Sequence, residues 1–288
     1  MDIHDLIDDP WLDTLLDQAL REDIGSGDAS TAITVAPGTR AVARIVAREA
    51  GVVAGLPLLP RLLARLDDGI TATLIVDDGA AVTPGQQLAS LRGLAGPLLT
   101  VERTALNLLQ QLSGIASLTA RYVAAVAGTG CLVLDTRKTL PGWRRLAKYA
   151  VVCGGGVNHR LGLYDRIMLK DNHWAAGGQG IADLVARGRR EYPDLAIEVE
   201  VDTLDQFDAV LALKVEWILL DNFTPEQTVE AVRRRDAAGA TTRLESSGNV
   251  TLETIRAYAE AGVDAASVGR LTHSAPAPDS ISASAVLI

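Results

Sequence analysis

Aromatic side chains are scarce, with two Phe, four Trp and five Tyr in a chain of 288 residues. A core of the size expected at this length must therefore be built from Leu, Val, Ile and Ala, the mixture that suits packed α/β layers. Cysteine is scarcer still: Cys131 and Cys153 are the only two. Two thiols do not make a disulfide framework, and both read as reduced packing residues. Long apolar runs are missing, so no stretch of about 18 residues suits a bilayer. The opening MDIHDLIDDP is acidic and has neither the basic nor the apolar part of a targeting signal. A cytoplasmic protein without a membrane partner is expected. Positive charge is also in deficit, and a net charge of −9 argues against general affinity for nucleic acid or an anionic membrane.

What positive charge there is lies unevenly. Between Asp135 and Lys170 stand eight bases, Arg137, Lys138, Arg144, Arg145, Lys148, Arg160, Arg166 and Lys170, against two acids, Asp135 and Asp165. That window carries six net positive charges, which leaves −15 for the rest of the chain.

The first third mixes helices with hairpin-like strands. Trp11, Leu12, Leu15, Leu16, Ala19 and Leu20 recur at helical spacing, and Leu56–Leu66 repeats the pattern before an Asp67-Asp68-Gly69 turn. Short β-like runs, Ala41–Val46 and Thr71–Val76, and turn signals at Asp78-Gly79 and Pro84-Gly85 make this part α+β. Residues 98–127 read as one or two helices with a break at Ser113-Gly114, where we place a domain boundary between 1–112 and 113–274.

Beyond it the rhythm changes. Six short apolar runs each end in polar residues and are followed by a helical pattern: Cys131–Leu134, Ile167–Leu169, Ile197–Val199, Trp217–Leu220, Arg243–Leu244 and Ala265–Val268. Six βα units in series predict a parallel barrel, whose strand ends and following loops converge on one face. Arg137, Lys138, Lys170, Glu200, Asp221 and the Ser247-Gly248-Asn249 loop would share that mouth. The plainer alternative is that polar residues bound any buried strand.

Several of these residues suit an anionic substrate. Arg137, Arg160 and Lys170 are well suited to carboxylates, since a guanidinium matches a carboxylate in bidentate fashion and an ammonium adds a compact charge. One such contact at a desolvated site is worth roughly 1.5–3 kcal/mol. Arg144, Arg145 and Lys148 lie in a helical pattern and read as a solvated face. His159 either donates to an anion or fills space. Glu200 and Asp221 at successive strand ends suit a sugar diol or a Mg²⁺ held mainly by a diphosphate, or are ordinary capping acids. Ser247-Gly248-Asn249 and Gly269-Arg270 look like a phosphate cup, although Ser-Gly-Asn is also a common turn. The segment 74–85, LIVDDGAAVTPG, faintly resembles another phosphate-binding loop, but Asp77-Asp78-Gly79 fits a hairpin turn and Pro84 interrupts the loop. Gly154-Gly155-Gly156 has no P-loop context and reads as a flexible loop delivering His159 and Arg160.

Taken together, REDIGSGDAST at 21–31, ERTALNLLQQLSGIASLT at 102–119, the basic segment 135–174, EVEVDTLDQ at 198–206, ILLDNFTPE at 218–226, LESSGNV at 244–250 and SVGRLTHS at 267–274 resemble the quinolinate phosphoribosyltransferase family. The resemblance spans nearly the whole chain. It implies an N-terminal α/β sandwich, completed by the tail 275–288, and an incomplete, open TIM-like α/β barrel. It implies homodimers or assemblies of dimers, up to hexamers, in which Arg103 reaches into the neighbouring subunit's site. Arg137, His159, Arg160 and Lys170 would bind the pyridine dicarboxylate, Lys138 and Lys170 would meet the diphosphate of phosphoribosyl pyrophosphate, and Thr136 would be among the substrate-binding residues. Glu200 and Asp221 would meet the ribose hydroxyls and Mg²⁺, and Ser247, Gly248, Asn249, Val268, Gly269 and Arg270 the 5′-phosphate, with His273 close by. The catalytic set would be Lys138, Lys170, Glu200 and Asp221. Rival readings are a same-fold enzyme that transfers to another anionic ring without decarboxylation, a phosphosugar lyase using Lys138 or Lys170 as a Schiff base, and a sensor that binds without turnover.

Overall fold

The computed structural model describes Leu6 and residues 8–170, 180–276 and 280–287. Residues 171–174 of the basic segment, and 277–279 and 288 of the tail, lie outside these. The chain divides into two compact units, one made of residues 1–120, 140–155 and 272–288, the other of 121–139 and 156–271.

The first unit begins with helices α1 (Pro10–Ile24) and α2 (Ala29–Thr34). Asp9 caps α1 by accepting from the Trp11 N–H, and Leu12, Leu16 and Leu20, four apart, form its buried stripe. Strands β1 (Arg40–Ala47) and β2 (Gly51–Val52), helix α3 (Leu58–Ala64), and strands β3 (Thr71–Leu74), β4 (Ala81–Val82) and β5 (Gln87–Leu94) follow. Alternate residues of β1 are buried, as a sheet covered on one face requires. Asp78-Gly79 is a turn but not the expected hairpin, because β3 pairs with β5 and β4 with β2; Asp78 accepts from the backbone N–H groups of Gly55 and Leu56 at 2.6 and 3.0 Å and from Tyr149 Oη at 2.6 Å.

Helix α4 (Ala95–Ala125) runs unbroken through Ser113-Gly114, where the sequence suggested an interruption. Ser113 does not compete with the helix backbone; its Oγ accepts from Ala54 N–H at 3.0 Å and faces Ala54 O at 3.3 Å. The tail strand β12 (Ile281–Leu287) pairs antiparallel along β1, giving a sheet ordered β12-β1-β5-β3.

In the second unit, β6 (Leu132–Leu134), β7 (Ile167–Leu169), β8 (Ile197–Val201), β9 (Trp217–Asp221), β10 (Arg243–Ser247) and β11 (Ala265–Ser267) occupy the six expected runs and form one parallel sheet, ordered β6-β11-β10-β9-β8-β7. Between them, α5 (Arg144–Cys153) belongs to the first unit, while α6 (Ile181–Glu191), α7 (Leu204–Leu211), α8 (Pro225–Ala237) and α9 (Ile255–Glu260) belong to the second. The short α10 (Arg270–His273) follows β11. Thr203 caps α7, and Thr224 with Gln227 makes a full capping box on α8. Among the described residues β6 and β7 are the two edges of the sheet, so the barrel is open. Among the described residues the outer side of β6 carries a bridge from Leu134 to Val157.

Two readings of the basic segment change here. Arg144, Arg145 and Lys148 do not form a solvated face. The residues from Leu146 to Val151 are all buried, Lys148 is 0% exposed, and Arg145 lies over the Trp11 ring and pairs with Asp9. Nor is the triple glycine a loose tether. A Cβ on Gly154 would stand 2.3 Å from Ala116 O, so glycine lets α5 end hard against α4. The chain that follows is pinned: Val157 N–H donates to Val133 O, and the fully buried Asp135 accepts from His159 N–H at 2.9 Å and Asn158 Nδ2 at 2.6 Å.

Candidate active site

Because side chains alternate along a strand, one set from each strand faces the barrel interior. Register stacks that set in layers. Glu198 pairs across to Trp217 and Trp217 to Arg243; above them Glu200, Leu219, Glu245 and Ala265 align; above those, Asp221 aligns with Ser247.

A cavity of about 300 Å³ opens over these layers and is lined from all six strands or the loops just after them. Nine of the expected site residues meet there: Thr136, Arg137 and Lys138 after β6, His159 and Arg160 before β7, Lys170 at the end of β7, Glu200, Asp221 and Ser247. Met168, Leu219, Glu245 and Ser267 complete the wall, and that groups from both edge strands share one cavity shows how far the sheet curls. Gly248 and Asn249 lie on the loop after β10, Val268 and Gly269 on the loop after β11, and Arg270 opens α10; none is among the lining residues. Arg103 is exposed on α4 in the first unit, and His273, exposed at the end of α10, has Nδ1 2.6 Å from Ser274 Oγ.

The rim carries both signs of charge. Lys170 Nζ forms a close ion pair with Glu200. Arg160 donates from Nη1 to Arg166 O at 3.2 Å and lies 3.4 Å from Met168 Sδ, which holds its fork in place. Burial first, and then the neighbouring positive charge of Arg137, lower the Arg160 pKa from its ordinary value. Two guanidiniums that repel one another inside a cavity are a site for an anion, because an anion between them removes the repulsion.

Beneath the rim lies a cluster that sequence reasoning did not single out. Glu198 and Glu245 are 0% exposed, and His159 Nε2 stands 3.1 Å from Glu198 Oε2 and 3.3 Å from Glu245 Oε2. Arg166 Nη1 lies 3.2 Å from the same Glu198 oxygen, and Ser267 Oγ makes a short hydrogen bond to Glu245. His159, Glu198 and Glu245 present atoms within 4.8 Å of one another, a spacing that could hold a metal ion. The imidazole argues against it. Arg160 N–H donates to Nδ1 at 2.7 Å, so the ring carries its own proton on Nε2, which then has no lone pair for a metal. Burial opposes a charge on His159, but the hydrogen bonds and charges of Glu198 and Glu245 outweigh it and raise its pKa to about 9. With Nδ1 already accepting from Arg160 N–H, the extra proton that this represents is shared with the carboxyl pair facing Nε2. Burial first, and then the charge of Glu198, push Glu245 up to about 7, whereas Glu198, buried but facing His159 and Arg166, is held below its usual value.

His159 is therefore tied through both ring nitrogens, and its backbone N–H to Asp135. The signal for this floor was present as Glu198, two residues before Glu200 in an otherwise apolar strand.

Comparisons with known proteins bear on the family and the fold. Residues 28–113 match the family model described as quinolinate phosphoribosyl transferase, N-terminal domain, and residues 115–281 match that for the C-terminal domain. The chain is 49% identical over 260 residues to the nicotinate-nucleotide pyrophosphorylase (carboxylating) of Mycobacterium leprae, covering 89% of this chain and 91% of that one. It is 45% identical over 260 residues to the probable nicotinate-nucleotide pyrophosphorylase (carboxylating) of Synechocystis sp., covering 90% and 86%. The solved nicotinate-nucleotide pyrophosphorylase of Francisella tularensis superposes with a TM-score of 0.90 at 35% identity, over 97% of this chain and 96% of that one.

Proposed function

The chain belongs to the quinolinate phosphoribosyl transferase family, and from that premise we propose that it transfers the phosphoribosyl group of phosphoribosyl pyrophosphate to quinolinate with decarboxylation. The products are nicotinate mononucleotide, diphosphate and CO₂, a step in NAD synthesis. The observation that carries the reading is that the guanidiniums of Arg137 and Arg160 line one cavity together with the carboxylates Glu200 and Asp221, burial and then the charge of Arg137 lowering the Arg160 pKa.

Arg137, Arg160 and Lys170 would hold the pyridine dicarboxylate with its ring nitrogen toward the sugar. The nitrogen forms the bond to C1 as the bond from C1 to diphosphate breaks and the diphosphate leaves with the electron pair. Positioning of the two reactants and stabilisation of displaced negative charge supply the catalysis, and no covalent nucleophile is needed. Lys138, Lys170 and Thr136 would meet the diphosphate, Glu200 and Asp221 the ribose hydroxyls, and the loops at 247–249 and 268–270 the 5′-phosphate. The electron pair of the breaking C2–carboxylate bond remains at C2, where the positive charge of the adjacent pyridinium nitrogen stabilises it, and C2 then takes a proton as CO₂ leaves.

Family members use Mg²⁺, and the donors here fit it. Two carboxylates at one mouth are too few for an all-protein cage but suit an ion completed by substrate phosphates and water. Glu200 and Asp221 would hold it, and when bound it neutralises charge on the leaving diphosphate. Homodimers in which the partner supplies the residue equivalent to Arg103 would complete the dicarboxylate site. Mixed dimers of Arg103→Ala and Arg160→Ala subunits should then recover activity that neither variant has alone; no recovery would refute the shared site.

A Schiff-base lyase has less support, because Lys170 is engaged by Glu200 rather than presented as a free amine in an apolar pocket. Among the described residues no helix is long and apolar enough to cross a membrane. Incubation with quinolinate, phosphoribosyl pyrophosphate and Mg²⁺ should release CO₂ and diphosphate in equal amounts; diphosphate without CO₂ would sink the choice of substrate.

A further inference from the structure

The loops that end β9 and β10 each carry a non-glycine residue in the left-handed region, Asn222 at φ 55° and Asn249 at φ 52°. Asn tolerates that conformation better than most residues, yet it remains uncommon and often marks a functional constraint. Asn222 makes three contacts from it. Its backbone N–H donates to Ser247 O at 2.9 Å, its Nδ2 donates to Asp221 Oδ2 at 2.8 Å, and its Oδ1 accepts from Asn249 Nδ2 at 3.3 Å. A carboxylate can only accept, so the contact with Asp221 fixes which end of the amide is nitrogen, and the contact with Asn249 needs that same orientation. The packing around it is tight: a Cβ on Gly248, itself at φ 85°, would stand 2.2 Å from Asn222 Oδ1 and 2.7 Å from its Cγ.

We propose that Asn222 is a positioning residue that fastens the Asp221 carboxylate to the 247–249 loop, so that the groups for the ribose hydroxyls and for the 5′-phosphate are set as one unit. The inference rests on the roles given above to Asp221 and to that loop. A residue that merely fills a turn would need neither the amide donor nor the amide acceptor, and glycine would replace it without loss. All three contacts of Asn222 lie at the ends of β9 and β10 or on the loop after β10, whereas Arg137 and Arg160 flank β6 and β7. Its removal should therefore weaken phosphoribosyl pyrophosphate and spare quinolinate.

Two variants separate the amide from the backbone. Asn222→Gly keeps the left-handed turn and deletes both side-chain contacts; Asn222→Asp keeps size and turn but sets a second carboxylate against Asp221. Calorimetric affinities for phosphoribosyl pyrophosphate with Mg²⁺ and for quinolinate, together with amide hydrogen exchange across 243–250, read the effect. Losing two modest hydrogen bonds predicts a fall of about 10-fold in phosphoribosyl pyrophosphate affinity for the Gly variant, and more for the Asp variant. Quinolinate affinity should stay within about 2-fold, and exchange in the loop should rise in both variants. Unchanged loop exchange, or equal loss of both ligands, would overturn the proposal. Wild-type protein that fails to bind phosphoribosyl pyrophosphate would sink the functional reading instead, and the exchange comparison would still decide the fastening.

Discussion

The rim and the floor of the barrel are built from neighbouring residues of the same strands, yet they handle charge in opposite ways. Glu200 at the rim of β8 and Glu198 two residues deeper both face the interior, as do Ser247 and Glu245 on β10. At the rim, burial and then the charge of Arg137 lower the Arg160 pKa, and both arginines line an open cavity beside the Lys170–Glu200 ion pair, so charge faces a space that a ligand can fill. On the floor, His159, Arg166 and Ser267 answer Glu198 and Glu245, and both carboxyls are cut off from solvent. Depth along one strand, a step of two residues, separates binding from structural support.

The largest effect should come from the floor. Glu198→Ala removes the carboxylate that His159 and Arg166 share and should cost about 3–5 kcal/mol of stability, as breaking a buried ion pair does. Denaturant unfolding measures it, and a loss under about 1 kcal/mol would erase the distinction from the rim. Arg160→Ala should show the reverse pattern, with quinolinate affinity down about 10- to 100-fold and the unfolding midpoint little changed.

The pH dependence of stability sharpens the same contrast. Glu245 is raised in the folded state from 4.5 to about 7, so the folded protein holds a proton that the unfolded chain has released across that range. Stability from this group is therefore full below about pH 4.5, falls as pH rises toward 7 and is level above it. Glu245→Gln, which keeps the shape of the protonated acid, should lose the fall in melting temperature that wild type shows over that window, so that the difference between variant and wild type changes steadily from about pH 4.5 to 7. A parallel pair of curves would remove the proton from Glu245. The smallest effect is expected in the first unit, where Tyr149 donates to Asp78 without any ligand role. Tyr149→Phe should cost about 0.5–1.5 kcal/mol in unfolding and leave kcat/KM unchanged.

The rim was legible in the sequence because strand ends announce themselves: an apolar run stops and Arg137, Lys170 or Asp221 begins. The six parallel strands were legible for the same reason. The floor was hidden because Glu198 lies inside the run Ile197–Val201, where a charge reads as the exposed half of an alternating strand, and Glu245 read as the start of a loop although β10 continues to Ser247. Helical spacing alone gave Lys148 to solvent, since periodicity shows that a helix has faces but not that every face is covered. The Ser113-Gly114 break failed because Ser113 bonds to Ala54, far away in sequence and invisible to a local reading.

The claim that the rim is an anion site made by the guanidiniums of Arg137 and Arg160 is tested most directly by equilibrium binding of quinolinate and nicotinate to wild type, Arg137→Ala and Arg160→Ala. The account predicts that wild type prefers the dicarboxylate by about 10-fold or more and that each variant loses most of that preference. Equal affinity of wild type for the two ligands, or a preference that survives both substitutions, would contradict it.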